Sequence, residues 1–174
     1  MGRAVVVKAG HVPSAGELTA HVRTAVDGTV RWIDRVLATP GGDPEAWDQR
    51  AFYARMMLMR GLERGELLGW VLQRDGLAER QTERGVAIRQ ASAYWAEARP
   101  DLHEAIAGMR RASDLPPHST TARDTLTLAR DQLDAARGWL RDLADGLAVD
   151  SRDRKVERDL ERPAPDTSLG LDLL

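Results

Sequence analysis

The chain has 174 residues, of which 43% are hydrophobic and 30% are charged. This length suits one complete domain, and the composition is typical of a soluble helical protein with a real core. The 25 basic and 27 acidic residues leave a net charge of −2, which excludes a global preference for nucleic acid or anionic membranes. Cysteine is absent, so disulfides, thiolate metal sites and cysteine nucleophiles are excluded.

Residues 1–13 are predicted to form an extended N-terminal arm. Three consecutive valines within residues 4–9 favour a strand, which Gly10 and Pro13 end. Because a lone strand is unstable, it must pair across an oligomer interface, lie on the bundle surface or form an irregular arm. Its apolar run is too short for a signal peptide, and no segment is long enough to span a membrane. We therefore expect a cytoplasmic protein, and the bias to arginine over lysine is typical of a GC-rich bacterial genome.

The first two helices have clear start and stop signals. Ser14 and Glu17 form a capping box, in which each side chain satisfies a free backbone N–H of the other, and Pro40-Gly41-Gly42 ends the helix. The second helix begins at Asp43, with a proline in its first position, and ends at Asp75-Gly76.

The second helix also has a distinctive interior. Apolar residues lie along one of its faces: Phe52, Met56, Met59 and Leu62. Glycines recur every fourth residue, at positions 61, 65 and 69, and the charged residues between them exclude a membrane-spanning segment. The glycines either let a neighbouring helix approach closely or break the helix near Gly65. We favour one helix with a weak point at that glycine.

Two shorter segments precede the last helix. The third helix is expected to close before Pro100, and a fourth to run from about Leu102 to Arg111. Residues 114–118 include two adjacent prolines, which hold the backbone extended and make this segment a linker. Thr121 with Asp124 is then predicted to cap a long C-terminal helix.

That last helix carries the most informative pattern in the chain, with apolar residues at alternating spacings of three and four. Residues so spaced form one narrow stripe that packs against another helix or a bundle. This leucine seam consists of Leu126, Ala129, Leu133, Ala136, Leu140, Leu143 and Leu147. We predict an all-α protein, in which residues 14–162 form a four- to five-helix bundle with a long C-terminal helix.

No catalytic, cofactor or metal signature is apparent. The chain lacks a Gly-x-Ser-x-Gly elbow, a P-loop and a Gly-x-Gly-x-x-Gly turn. Glu17 and His21 share a helix face, but without a pair of Glu-x-x-His motifs a surface ion pair is favoured over a metal site. We therefore expect a protein that is not an enzyme and has no cofactor, metal or small-molecule substrate.

Three pairs of arginines are candidate contacts to a nucleic-acid backbone: Arg60 with Arg64, Arg80 with Arg84, and Arg110 with Arg111. Each pair has an acidic residue within four positions, whereas binding surfaces concentrate one sign of charge. Solvated helix faces are the favoured interpretation. The tryptophans at positions 32, 47, 70, 95 and 139 are likewise interpreted as core or interface anchors rather than base-stacking platforms.

Residues 163–174 are predicted to leave the bundle as a tethered docking tail. Pro163 and Pro165 disfavour continuing the helix, and a leucine-rich end follows them. An extended peptide gains affinity by burying alternate apolar side chains in a groove on its partner. The predicted partner-binding residues are Leu169, Leu171, Leu173 and Leu174.

The sequence Ser168-Leu169-Gly170-Leu171-x-x-Leu174 resembles the C-terminal loading peptides of encapsulin cargo proteins, which present a Ser-Leu-Gly-Ile-type core after a Pro/Gly-rich tether. The resemblance covers about seven residues and departs at Asp172 and Leu173, where that family has small residues. The rest of the chain lacks the ferritin-like, haemerythrin or peroxidase features of such cargo. The resemblance implies loading into a shell by the C-terminal peptide, and we keep it as a minority alternative.

The function predicted from these patterns is that of a non-enzymatic helical subunit or adaptor in a larger protein assembly. It would dock through its long C-terminal helix and its apolar tail onto a protein partner or a second copy. The runner-up is a small helical subunit of a nucleoprotein complex, which would contact the nucleic-acid backbone through the arginines named above.

Overall fold

The computed structural model describes residues 13–39 and 41–160, with side chains described up to residue 148. Four helices occupy these ranges: α1 (Ala15–Ala38), α2 (Pro44–Ala78), α3 (Glu83–Ser113) and α4 (Thr120–Leu160). The described ranges contain no strand, so the all-α prediction is confirmed for them. The strand predicted over residues 4–9 and the tail predicted over residues 163–174 lie outside the described residues.

The four helices pack around one shared core. α1 packs on α2 and α4, and α3 packs on the same two helices, with the most extensive contact between α3 and α4. The connections between successive helices are short, so neighbours in sequence run antiparallel. The core is built mainly from leucine, valine and alanine, and two tryptophans, Trp47 and Trp95, are among its larger side chains.

The first two helices begin as their sequences predict. The Ser14 N–H donates to Oε2 of Glu17 at 2.8 Å, and the Glu17 N–H donates to Oγ of Ser14 at 3.2 Å, which completes the capping box. Asp43 caps α2 by accepting the Glu45 N–H at 3.1 Å, and Pro44 takes the first helical position. α2 then runs to Ala78, slightly past the predicted stop.

Two predictions about helix ends are wrong. The break before Pro100 does not occur, because α3 runs unbroken from Glu83 to Ser113. Pro100 is exposed, and Ala98 and Leu102 on either side of it are buried, so packing holds the helix through the proline. The cap of α4 is Ser119 rather than Thr121, since Oγ of Ser119 accepts the Ala122 N–H at 3.2 Å.

The glycines of α2 admit neighbouring helices. A Cβ atom at Gly65 would lie 2.0 Å from Cη2 of Trp95 on α3, and one at Gly69 would lie 2.7 Å from Nε1 of the same ring. A Cβ atom at Gly61 would lie 2.5 Å from Cβ of Ala25 on α1. Of the two alternatives, close approach is therefore observed, and α2 continues unbroken past Gly65.

The leucine seam of α4 lies in the core. Leu126, Leu133, Leu140 and Leu143 are at most 1% exposed. Leu147, at the end of the seam, is partly buried and packs against the same core. The seam thus accounts for the close contact that α4 makes with α3 and α1.

Three arginines of α4 bind groups on the antiparallel α1. They lie beside the leucine seam and are spaced seven residues apart. Nε of Arg137 lies 2.8 Å from Oδ1 of Asp27, and Nε of Arg130 lies 2.6 Å from Oδ1 of Asp34. Arg123 donates to the carbonyl oxygens of residues 36 and 37, which end α1. The hydrogen bond to Asp34 is the largest of the effects that raise the pKa of Arg130. We call these three residues the arginine ladder.

Replacing Arg123 with alanine should lower the free energy of unfolding by about 1–2 kcal/mol, because two carbonyls at the end of a helix lose a charged donor. The matched control is Arg141→Ala, an exposed arginine on the same helix. Chemical denaturation of both variants measures the difference. Equal stability of the two variants would show that the contact to α1 contributes nothing.

Candidate protein-binding surface

α2 carries large apolar side chains outside the core as well as within it. One face of the helix is buried in the core, and positions around the rest of the helix present most of the large apolar side chains that the described residues expose. Those on α2 are Phe52, Tyr53, Met57, Met59, Trp70 and Leu77. Large apolar side chains that the bundle does not cover are left to solvent or to a partner.

Part of this exposed surface forms a groove between α1 and α2. We define the α1/α2 groove by Ala25, Tyr53, Met56, Met57, Arg60 and Arg64, which line a cavity of about 710 Å³. The groove is shallow because Gly61 lets the two helices approach closely. Met57 packs over Gly28, where a Cβ atom on the glycine would lie 2.7 Å from Cε of Met57. The rings of Phe52 and Tyr53 meet edge to face with centroids 5.8 Å apart at one end.

The side chains that line the groove suit an adaptable apolar ligand. Tyr53 is 63% exposed and Met57 is 36% exposed. A ligand that covers them would therefore remove apolar surface from contact with water. Methionine is unbranched and polarizable, and it repacks around different partners at little cost. The groove therefore offers an apolar surface without a fixed shape.

The other end of the groove is positively charged. Arg60 and Arg64 lie one helical turn apart on α2, and His21 lines the same cavity from α1. No carboxylate lines this groove among the described residues, and within that part of the chain neither arginine forms an ion pair. A ligand that brings its own carboxylates to this end would find complementary charge.

The structure brings together only one of the three predicted arginine pairs in a cavity. Arg80 and Arg84 lie around the turn between α2 and α3, where Arg84 pairs with Glu79 at 2.5 Å. Arg110 and Arg111 lie in the last turn of α3, so they stand ~39 Å from Arg84 along the helix. The predicted contacts thus form three separate spots rather than one basic face in the described part of the chain.

The tryptophans do not gather on one exposed face either. Trp47 and Trp95 are buried, and Trp32 packs against the core. Trp139 stacks on Tyr94 with centroids 6.2 Å apart, and the exposed Trp70 lies under the guanidinium of Arg74. This spread fits anchors better than a stacking platform for bases.

Two further cavities are less suited to binding. A cavity of about 580 Å³ lies at the end of the bundle where α1 begins, with charges of both signs from Arg23, Asp75 and Arg84. A smaller one of about 140 Å³ lies beside Trp32, Trp47 and His118 and holds only a few water-sized molecules. Neither combines exposed apolar side chains with charge of one sign.

The described side chains contain no group of three or more potential metal ligands. Nor is any helix in the described ranges long and apolar enough to cross a membrane. The predicted partner-binding leucines, Leu169, Leu171, Leu173 and Leu174, lie outside the described residues. Comparison with known proteins found no matching family model, no similar curated protein and no similar solved structure. Function is therefore inferred from the surface of the chain itself.

Proposed function

We propose that the protein is a non-enzymatic helical subunit or adaptor of a larger cytoplasmic assembly, and that it binds a protein segment in the α1/α2 groove. The observation that carries the proposal is the exposed Tyr53 and Met57 beside two arginines without ion-pair partners in the described part of the chain. Covering apolar surface gains about 25 cal/mol per Å², so an exposed apolar groove favours a ligand that fills it.

The chemistry of the groove defines its ligand. From Tyr53 to Arg64 the groove follows α2 for about 17 Å, or three helical turns. That length accepts one short helix or about five residues of extended chain, with apolar side chains toward Met57 and carboxylates toward Arg60 and Arg64. The ligand we propose is thus a short apolar segment that carries negative charge.

α4 supports a second region of contact in this proposal. Ala148 of α4 and Ser14 line the same cavity, so α4 reaches the start of α1 near residue 148. Its backbone continues as a helix to Leu160, about 18 Å farther. We propose that this extension and the tail after it, with Leu169, Leu171, Leu173 and Leu174, also contact the assembly.

Replacing Met57 with aspartate should weaken capture of the protein partner about tenfold, because the variant puts a carboxylate into an apolar contact. The matched control is Met59→Asp. Met57 and Met59 are 36% and 39% exposed on the same helix, but only Met57 lies along the groove. Tagged variants expressed in the native host and quantified by mass spectrometry give the comparison. If the two variants lose the same partners to the same extent, the groove is not the binding surface.

Reversing the charge at Arg60 and Arg64 with glutamates should also weaken the complex, and the loss should shrink at high salt because surface charges are screened. The control is the same reversal at Arg110 and Arg111, which lie away from the groove. The rate of association at several ionic strengths is the measurement. If both double variants instead lose binding to single-stranded nucleic acid, the nucleoprotein alternative replaces this proposal.

A further inference from the structure

We infer that the segment bound in the α1/α2 groove is the leucine-rich tail of a second copy of this chain, residues 166–174. The inference rests on the proposed function of the groove and names its ligand. Three observations support it. The chemistry of the groove and the tail is complementary, their lengths match, and the path of the chain after α4 favours the tail of a second copy.

The chemistry of the two surfaces is complementary. Residues 166–174 contain four leucines and two aspartates, at positions 166 and 172, and no basic residue. The groove presents apolar Tyr53 and Met57 at one end and Arg60 and Arg64 at the other, and no carboxylate lines it in the described part of the chain. If the tail runs from the Tyr53 end toward the Arg64 end, Leu169 and Leu171 cover the apolar side chains, and Asp172 supplies negative charge near Arg60.

The lengths also match. An extended chain advances about 3.4 Å per residue, so the stretch from Leu169 to Leu174 spans about 17 Å. This equals the distance of about 17 Å that α2 covers between Tyr53 and Arg64. Gly170 disfavours a helix at this position, so the extended form is the one that fits the groove.

The path of α4 makes a second copy the donor of the tail. The helix carries the backbone about 18 Å past the start of α1, whereas His21, at the near end of the groove, lies about 10 Å back from Ser14 in the opposite direction. Residues 161–168 would have to return about 28 Å, which is close to the full reach of eight extended residues. Fully extended, this tether brings Leu169 only to the near end of its own groove, beside Arg64. It does not reach the Tyr53 end, about 17 Å farther, where the leucines would be covered. The groove of a neighbouring copy has no such restriction.

The resulting contact joins two different surfaces, the groove of one copy and the tail of the next. A contact of this kind repeats into a ring or an open chain unless two copies exchange tails reciprocally. We therefore expect association that increases with protein concentration and disappears when residues 167–174 are deleted.

The absence of native cysteine allows a single photoreactive probe in the full-length chain. Ser168→Cys is labelled with benzophenone maleimide and mixed with unlabelled chain grown in ¹⁵N medium. The expected result is cross-links between light and heavy chains that map to α2 between Tyr53 and Arg64. The control probe is attached to Ala135→Cys, an exposed position on α4.

Groove variants in the heavy chain make the test specific. Met57→Asp should lower the yield of cross-links about tenfold, while Met59→Asp should leave it unchanged. Cross-links confined to light chains, cross-links that map elsewhere, or yields equal for the two variants would overturn the inference. If the tail does not cross-link to the groove but Met57→Asp still loses a host protein, the inference fails and the proposed function stands. If Met57→Asp changes neither cross-linking nor capture of host proteins, both fail.

Discussion

Replacing Gly65 with alanine is expected to lower the free energy of unfolding by about 1–3 kcal/mol, because the new methyl group overlaps a buried ring. Three ring atoms of Trp95 would lie 2.0, 2.6 and 2.8 Å from the added Cβ atom. Trp95 is only 5% exposed, so the ring has little room to move away. The gain in helix propensity from glycine to alanine, about 1 kcal/mol, is too small to offset this overlap.

The control for this prediction is the same substitution at Gly138 on α4. A Cβ atom there would have no neighbour within 4 Å, so only the gain in helix propensity remains. Gly138→Ala should therefore raise the free energy of unfolding by about 0.5–1 kcal/mol. Thermal and urea denaturation of both variants test the opposite signs. A stabilised Gly65→Ala variant would show that α2 and α3 do not approach as closely as the glycines allow.

Shortening Leu140 to alanine should lower the free energy of unfolding by about 2–5 kcal/mol. The side chain is completely buried in the leucine seam, so its loss leaves a cavity between α4 and the rest of the core. Leu128 is the control, since it belongs to the same helix but is 54% exposed. Leu128→Ala should change stability by no more than about 0.5 kcal/mol. Similar losses at the two positions in urea denaturation would contradict the packing of the seam.

The elements that sequence predicts well are those whose signals are local and strong. The leucine seam of α4 and the caps at Ser14 and Asp43 depend on residues within a few positions of each other. The break predicted at Pro100 was wrong because the buried residues around it, such as Ala98 and Leu102, hold the helix through long-range packing. Such packing is invisible in a local pattern.

The buried face of α2 illustrates why the candidate binding surface was missed. The sequence predicts an apolar face with Phe52, Met56, Met59 and Leu62, and this prediction is wrong for Phe52 and Met59, which are exposed. Eight of the eleven buried residues of α2 have the same alternating spacing as the leucine seam, and four of these eight are alanine or glycine: Trp47, Ala51, Ala54, Leu58, Gly61, Gly65, Leu68 and Leu72. Small residues at that spacing are the signal that would have identified the buried face and left the methionines outside.

The charged contacts could not be predicted for a different reason. Arg130 and Asp34 are separated by nearly a hundred positions in sequence, and only the antiparallel packing of α1 and α4 brings them within 2.6 Å. The arginines of the ladder therefore stabilise the packing of α1 on α4. The sequence alone does not distinguish them from arginines that bind a partner. The sequence did place Arg60 and Arg64 on one helix face, and both line the α1/α2 groove.

Oxidative footprinting of the two neighbouring methionines on α2 tests the groove as a docking surface most directly. Met57 and Met59 are 36% and 39% exposed, so hydroxyl radicals should oxidise them at similar rates in the dilute, unassembled protein. In the assembled state, at high concentration or with the partner recovered from the host, oxidation of Met57 should fall about tenfold while that of Met59 changes little. Unchanged oxidation of Met57 in a complex that has demonstrably formed would contradict docking in the α1/α2 groove.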